Sequence, residues 1–340
     1  MNAEDLFVER VKALAPGSDR LRVGIGDDAA VIETPAGPLV ATTDMLVEEV
    51  DFLAGEEPER LGRRAAAVNL SDLAAMGARP EFFLLCVGFP RELGPDYPLA
   101  VARGAVSRAA VFEAVLAGGD ISEARQTVVA IAFWGRPESE PLLRSGARPG
   151  DHVWVSGWPG RAAAGLKLAQ LTATFTSVGS PPTPHLIGLE PGKEAELLDA
   201  YRDPEPRVAL GQALARGGLA HAAIDVSDGL GLDASRLARA SGVRIVLERE
   251  RLPLAPALAA WADVESLDPL ELVLGGGDDY ELLFAAPPDA EGRLAAGSPE
   301  WGVPVRRIGT CEEGSGTVLR FESGERDIAR LGFDHLERRP

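Results

Sequence analysis

Cysteine and histidine are scarce in this chain: two cysteines and four histidines stand among 340 residues. Cys86 lies inside the apolar run FFLLCVGF and Cys311 far off in a polar stretch, neither with a CxxC partner, and His152, His185, His221 and His335 fall at no metal-ligand spacing. A zinc site and a disulfide scaffold are therefore excluded. Basic residues are short too, with 34 Lys+Arg against 52 Asp+Glu, a formal net charge of −18 and no dense Lys/Arg run. Such a surface repels nucleic-acid backbones and anionic lipid, so neither is an expected partner. No apolar run approaches the ~18 residues of a membrane span. The opening MNAEDLFVERVKALAPG mixes Glu4, Asp5, Glu9, Arg10 and Lys12 among apolar residues, which no secretory leader does, so a soluble cytoplasmic protein is expected. Familiar phosphate signatures are missing as well: there is no GxxxxGK[ST], no GxGxxG opening a βαβ unit and no kinase HRD or DFG. A phosphoryl-transfer enzyme built from this chain uses another architecture.

What is present is a chain 46% hydrophobic, long enough for about two domains. Residues 5 to 14 carry a helical pattern ended by Pro16-Gly17. Strand-like runs follow around 21–33 and 38–43, joined by TPAGP. PERLGRRAAAVNLSDLAAMG reads as a helix that starts at Pro58 and stops at Gly77. FFLLCVGF reads as a buried strand, the Ala-rich stretch 97–117 as a helix ended by Gly118-Gly119, and QTVVAIAFWG as a strand. This is an α/β layer arrangement with helices covering a sheet. Pro149-Gly150 opens a second unit in which HAAIDVS, LGLDASRLARAS, VRIVLE, YELLFAA and VPVRRIG alternate between strand and helix. The boundary is set near 145, giving domains 1–145 and 146–340. The Ser/Thr/Pro-rich segment 171–193 reads as an exposed connection or flap.

Aspartates recur where strand-like runs end or loops meet helices: Asp27 and Asp28 in GIGDDAAVI, Asp44 in VATTDML, Asp120 in AGGDI, and Asp225 and Asp228 in AIDVSDGLGLD. α/β proteins build sites at such positions. Each also has a plainer reading. GIGDD suits a solvated turn, Asp228 or Ser227 a helix cap, and Asp120 a turn after a glycine. Asn69 and Asp72 share one face of an otherwise apolar helix; that face reads as the solvated one, with a site as the alternative. Clustered carboxylates repel unless cations sit between them. Oxygen ligands without Cys or His point to Mg²⁺, commonly completed by nucleotide phosphates. The glycine turns at 118–119, 229 and 275–277 offer backbone N–H groups, the helix after Gly229 its positive end, and Arg144 a phosphate fork.

The ordered set GIGDDAAVI, ATTDMLVEEVDF, AAVNLSDLAAMGARP, AGGDI, RSGARPGDHVWVSG, AIDVSDGLGLD and GGGDDYELLF resembles the thiamine-monophosphate kinase family, within the aminoimidazole ribonucleotide synthetase superfamily. The resemblance runs nearly end to end. It implies a two-domain α/β (α+β) subunit, with residues 1–145 binding ATP and Mg²⁺ and pairing their sheets across a homodimer, and residues 146–340 closing the cleft. It also implies direct transfer of the γ-phosphoryl group of ATP to thiamine monophosphate. Carried over by position, magnesium ligands fall on Asp28, Thr42, Thr43, Asp44, Asp72, Asp120, Asp225 and Asp228, with Asp44, Asp120 and Asp228 catalytic. ATP contacts fall on Gly119, Asp120, Arg144 and Ser227, and acceptor contacts on Asp51, Asp278 and Phe333. The chain departs from the family pattern at Asp51, where a His is usual, at Glu49 for Gly, at Asp278 for Glu, and at Ile121 for Thr. The metal and nucleotide signature is intact while the acceptor positions are altered. The alternatives are another ATP-dependent activating enzyme of the superfamily, or a non-catalytic magnesium–nucleotide sensor.

Overall fold

A computed structural model describes residues 3–14, 18–177, 188–334 and 336. In chain order its elements are α1 (Ala3–Leu14), β1 (Leu21–Val23), β2 (Ala30–Thr34), β3 (Gly37–Val47), α2 (Pro58–Ala75), β4 (Ala78–Phe89), α3 (Asp96–Ala110), β5 (Val115–Glu123) and β6 (Val128–Pro137). They continue with β7 (His152–Ser156), α4 (Arg161–Ser177), α5 (Pro191–Arg202), α6 (Val208–Gly217), β8 (Ala222–Val226), α7 (Leu230–Ser241) and β9 (Arg244–Glu248). The last are α8 (Pro256–Glu265), α9 (Pro269–Gly275), β10 (Glu281–Ala286), α10 (Glu291–Trp301), β11 (Val305–Glu312), β12 (Gly316–Phe321) and β13 (Gly324–Asp327).

The chain folds as two compact units that do not simply follow its order. The smaller gathers described residues of 17–141 with 205–216, and the larger those of 1–16, 142–204 and 217–340. The first exchange is α1, which joins the larger unit because Asp5 pairs with Arg239 at 2.7 Å. The second is α6, which up to Arg216 joins the smaller because Gly211 lies against the α2 backbone.

In the smaller unit the sheet runs β1-β2-β3-β6-β4-β5, antiparallel except for β4 and β5. Period-two alternation decides its faces. On β4, Phe83, Leu85 and Val87 are buried while Phe82, Leu84 and Cys86 are exposed. Helix α2 begins where Pro58 follows Glu57, whose carboxylate accepts from the N–H groups of Glu59 (3.0 Å) and Arg60 (2.7 Å). Its Ala/Leu surface is buried almost throughout. A Cβ on Gly62 would stand 1.9 Å from the Val101 carbonyl oxygen, and one on Gly104 would stand 1.8 Å from that of Glu59, so α2 and α3 cross at backbone contact.

The helix expected over 97–117 ends at Ala110, and its last apolar residues begin β5 instead. Glu113, at φ 60°, turns the chain back along β4. Gly119 does not end a helix; it lets two strands meet, since a Cβ there would lie 1.8 Å from the Leu85 oxygen.

The larger unit's sheet runs β13-β12-β9-β11-β7-β10-β8, with β9 and β12 its parallel pair. Val153, Val155, Leu168, Ile224, Leu237, Leu247, Trp261, Leu283 and Ile308 form its core with the covering helices. Of the expected 171–193 connection, 171–177 completes α4 and α5 starts at Pro191, while 178–187 lie outside the described residues. No helix among the described residues is long and apolar enough to cross a membrane.

Two glycines give opposite outcomes. Gly62→Ala forces two helix backbones apart and lowers unfolding stability by about 1–3 kcal/mol. Gly192→Ala, on α5 with nothing within 4 Å of the added Cβ, raises it by about 0.5–1 kcal/mol. Urea unfolding of the two variants reads both signs.

Candidate functional site

In the smaller unit the site grows from the contact of α2 with β3. Asn69 is buried at 1% exposure, and its amide bridges the two elements: Oδ1 accepts from the Asp44 backbone N–H at 3.1 Å, and Nδ2 donates to the Ala65 oxygen at 3.0 Å. One turn on, Asp72 Oδ2 accepts from the Thr42 hydroxyl at 2.5 Å. The face expected to be wet is therefore turned onto the sheet. Nearby charged residues mark a wet helix face, and this one has none; its polar groups instead serve the strand that carries Asp44. The Asp28 and Asp72 carboxylates bring oxygens within 4.8 Å of each other. Asp28 is buried, and its N–H bonds Asp27 Oδ1 at 3.0 Å, so Asp27 shapes the turn. These donors are all oxygen, which fits a hard cation such as Mg²⁺.

Register divides the other candidates of this unit. Asp44 stands across from Ile131, which pairs in turn with Leu85 and Gly119 on the helix-covered face. Asp120 stands in the next row, with Cys86, Ala130 and Met45 on the open face, and it is exposed. Thr43 shares that open face and donates to the Ile131 oxygen at 2.9 Å. Asp28, Asp72 and Thr42 are thus gathered and Asp44 shares the sheet face of Thr42, while Thr43 and Asp120 lie on the other face. Asp51 turns its carboxylate back onto the Val47 N–H at 2.8 Å, and its carbonyl accepts from buried Arg64 at 3.0 Å.

In the larger unit Asp225, buried, is the next-to-last residue of β8, and the turn that follows carries Ser227 and Asp228. Asp233 Oδ2 accepts three successive backbone N–H groups, from Ser227 (3.1 Å), Asp228 (3.0 Å) and Gly229 (3.2 Å). The Gly229 N–H, expected to be on offer to a phosphate, is therefore already taken by a carboxylate within the first turn of α7. Arg236 Nη1 bonds both Asp228 and, at 2.9 Å, Asp233 Oδ1, while its Nε lies 3.5 Å from Asp5. Burial pushes the Asp233 carboxyl upward, and the charges of Arg236 and Arg144 oppose that shift. Arg144 therefore lies within electrostatic reach of this turn.

Two further loops dock on it through their N–H groups. Asp278 donates to the Ser227 oxygen at 2.7 Å and Phe333 to the Asp228 oxygen at 2.8 Å. A Cβ on Gly277 would stand 2.5 Å from the Ser227 oxygen, so that glycine permits the approach. Ser227, Asp228, Asp278 and Phe333 are thereby brought together in one unit. Sequence reading passed over Asn69, Asp233 and Asp279 as functional supports. Asp279 is buried and caps α4, accepting from Gly160 (2.6 Å) and Ala162 (3.2 Å). A signal existed for Asp279 in the paired acids of GGDDYEL, but the N–H groups it serves lie 117 and 119 residues away.

Comparison with known proteins gives the following. Residues 26–136 match AIR synthase related protein, N-terminal domain, and residues 148–322 match the C-terminal domain of the same family. The chain is 37% identical over 322 residues to a thiamine-monophosphate kinase of Caulobacter vibrioides, covering 93% of this chain and 86% of that protein. It is 35% identical over 324 residues to that of Escherichia coli K12, covering 94% of each. A solved structure described as AaThiL complexed with AMPPCP and TMP matches at a TM-score of 0.82 and 30% identity, covering 98% of this chain and 95% of that one.

Burial pushes the Asp279 carboxyl up to about 8, against the two N–H bonds that favour its anion. The folded chain then keeps a proton that the unfolded chain releases near pH 4. The associated stability is complete below that pH and is lost as pH rises through about 8. Urea unfolding at pH 6 and pH 9 is expected to show wild type losing stability across the interval. Asp279→Asn, with no proton to lose, should lose less, by up to roughly 1.4 kcal/mol per pH unit. Equal losses would refute the assignment.

Proposed function

The chain belongs to the thiamine-monophosphate kinase family of AIR synthase related proteins, and we propose that it phosphorylates thiamine monophosphate with ATP, giving thiamine diphosphate and ADP, by direct in-line transfer supported by Mg²⁺. The oxygen cluster of Asp28 and Asp72 with the Thr42 hydroxyl carries this reading for the metal, since an enzyme of phosphates uses such a cluster to hold a hard cation. Asp28, Thr42, Asp44 and Asp72 are assigned as magnesium ligands in the smaller unit, Thr43 and Asp120, on its open face, to a further Mg²⁺, and Asp225 and Asp228 are assigned as magnesium ligands in the larger unit. Held by these residues, Mg²⁺ would offset the charge on the transferred phosphoryl group. Gly119, Asp120, Arg144 and Ser227 are assigned to the nucleotide, with Arg144 suited to a bidentate phosphate contact. Asp51, Asp278 and Phe333 are assigned to the acceptor. The acceptor is itself a phosphate monoester and largely dianionic near neutral pH, so the reaction needs no strong general base from the chain.

The working unit in this reading is a homodimer. The open face of the smaller unit's sheet exposes Met45 (59%), Phe82 (50%), Leu84 (37%) and Val115 (57%). Apolar side chains in a continuous patch of this kind are suited to burial against a second copy of the same face.

ADP release and thiamine diphosphate formation from ATP, Mg²⁺ and thiamine monophosphate test the reaction, with other phosphorylated acceptors run beside it. ATP binding with no turnover on any acceptor supports a nucleotide sensor instead. Asp44→Asn keeps the backbone N–H that bonds Asn69, so the fold is retained while kcat falls at least about 100-fold; activity surviving at saturating Mg²⁺ would remove Asp44 from the assignment. Leu84→Asp, on the open face, shifts the mass seen by light scattering from dimer to monomer, and a chain already monomeric in wild type refutes the pairing.

A further inference from the structure

Residues 278–281, Asp-Asp-Tyr-Glu, lead into β10 and its first residue, and their side chains alternate in direction. Asp279 and Glu281 turn to one side. Asp279 meets the start of α4, and Glu281 accepts from the Ser156 hydroxyl at 2.6 Å and the Trp158 N–H at 3.4 Å. Asp278 and Tyr280 turn to the other side, where the phenolic O–H of Tyr280 donates to Asp278 Oδ1 at 3.1 Å.

The backbone is unusual at both of these residues. Asp278 has φ 67° and Tyr280 φ 51°, left-handed conformations that non-glycine residues seldom adopt. Such conformations persist where the surroundings over-determine them. Here the N–H groups do so: Asp278 bonds the Ser227 oxygen at 2.7 Å and Tyr280 the Val226 oxygen at 2.8 Å, extending the β8–β10 ladder past the end of β10. The Tyr280 ring is only 7% exposed, so the phenol has a fixed seat. The result is a short carboxylate held at a set angle by a buried donor on the same loop.

We propose that Tyr280 is a positioning residue for the phosphoryl acceptor, orienting the Asp278 carboxylate toward a cationic heteroaromatic ring. The inference rests on the reading of Asp278 as an acceptor contact. Tyr280 acts through Asp278. A carboxylate free to rotate loses part of its attraction for a ring cation to the entropy of holding one rotamer, and the phenol removes that loss. Its effect therefore falls on acceptor binding rather than on the transfer step.

The test is steady-state kinetics on wild type, Tyr280→Phe, Asp278→Asn and the double variant, with thiamine monophosphate and ATP varied separately. Phe keeps the buried ring and removes only the hydroxyl, and urea unfolding checks that each variant folds. Tyr280→Phe is expected to raise the acceptor KM about 5- to 20-fold, leaving kcat and the KM for ATP within about twofold. In the Asp278→Asn background the same change should add nothing. An unchanged acceptor KM in Tyr280→Phe, effects that multiply in the double variant, or a joint change of kcat and both KM values with lowered stability each overturn the proposal. Wild type inert toward thiamine monophosphate would instead defeat the functional reading beneath it.

Discussion

The larger unit's loops depend on one buried carboxylate oxygen. Asp233 Oδ2 collects the N–H groups of Ser227, Asp228 and Gly229, and so fixes the turn that leaves β8. A buried N–H left without an acceptor costs about 1–3 kcal/mol, and here three such groups converge on a single atom. The carbonyls of the same turn then face outward and receive Asp278 and Phe333. Removing Asp233 would leave three donors bare and loosen two further loops. Asp279 repeats the device at α4, accepting from Gly160 and Ala162. Acids of the chain thus take the N–H groups just before α7 and others at the start of α4.

The smaller unit solves a different problem, how to place acids beside a buried helix. Helix α2 packs against α3 at backbone distance and buries nearly all of its surface. Polar groups on such a helix are tolerated only where each is satisfied. Asn69 meets this by serving the Asp44 N–H and its own helix's Ala65 carbonyl, and Asp72 by accepting from Thr42. The strand gains a fixed register over the helix, and the acids stay poised at the rim of the core rather than within it.

Much of this was legible in the residues, and what was not has definite causes. The strands bearing Asp44 and Asp225, the start of α2 at Pro58 and the ordered family motifs were visible because each is written in contiguous sequence. The end of α3 was not, because Ala-rich helix and β5 share the run VFEAVLA without a breaker, and the stop is a left-handed Glu113 that no propensity marks. Gly118-Gly119 read as a helix stop, although Gly119 serves a close strand approach. The solvated reading of Asn69 and Asp72 failed because a partner strand some 25 to 30 residues earlier supplies their bonds. Local pattern carries element type well; it carries poorly any polar group whose partner is distant in the chain.

Two of the acidic departures from the family pattern, Asp51 and Asp278, share a physical solution. Asp51 accepts from the Val47 N–H, and Asp278 from the Tyr280 phenol, so each carboxylate is anchored by a donor of its own unit. An anchored carboxylate differs from a free one in two ways. It presents a fixed direction, and one of its lone pairs is already engaged, which narrows the ligands it can serve to those approaching the remaining side. For an acceptor with a cationic ring and an anionic phosphate, that restriction matters more than net charge. An acid that swings freely would repel the phosphate in some poses as strongly as it attracts the ring in others. In the proposed assignment of Asp51 and Asp278 to the acceptor, anchoring removes the repulsive poses, and acids at these positions are then compatible with a doubly charged phosphate acceptor.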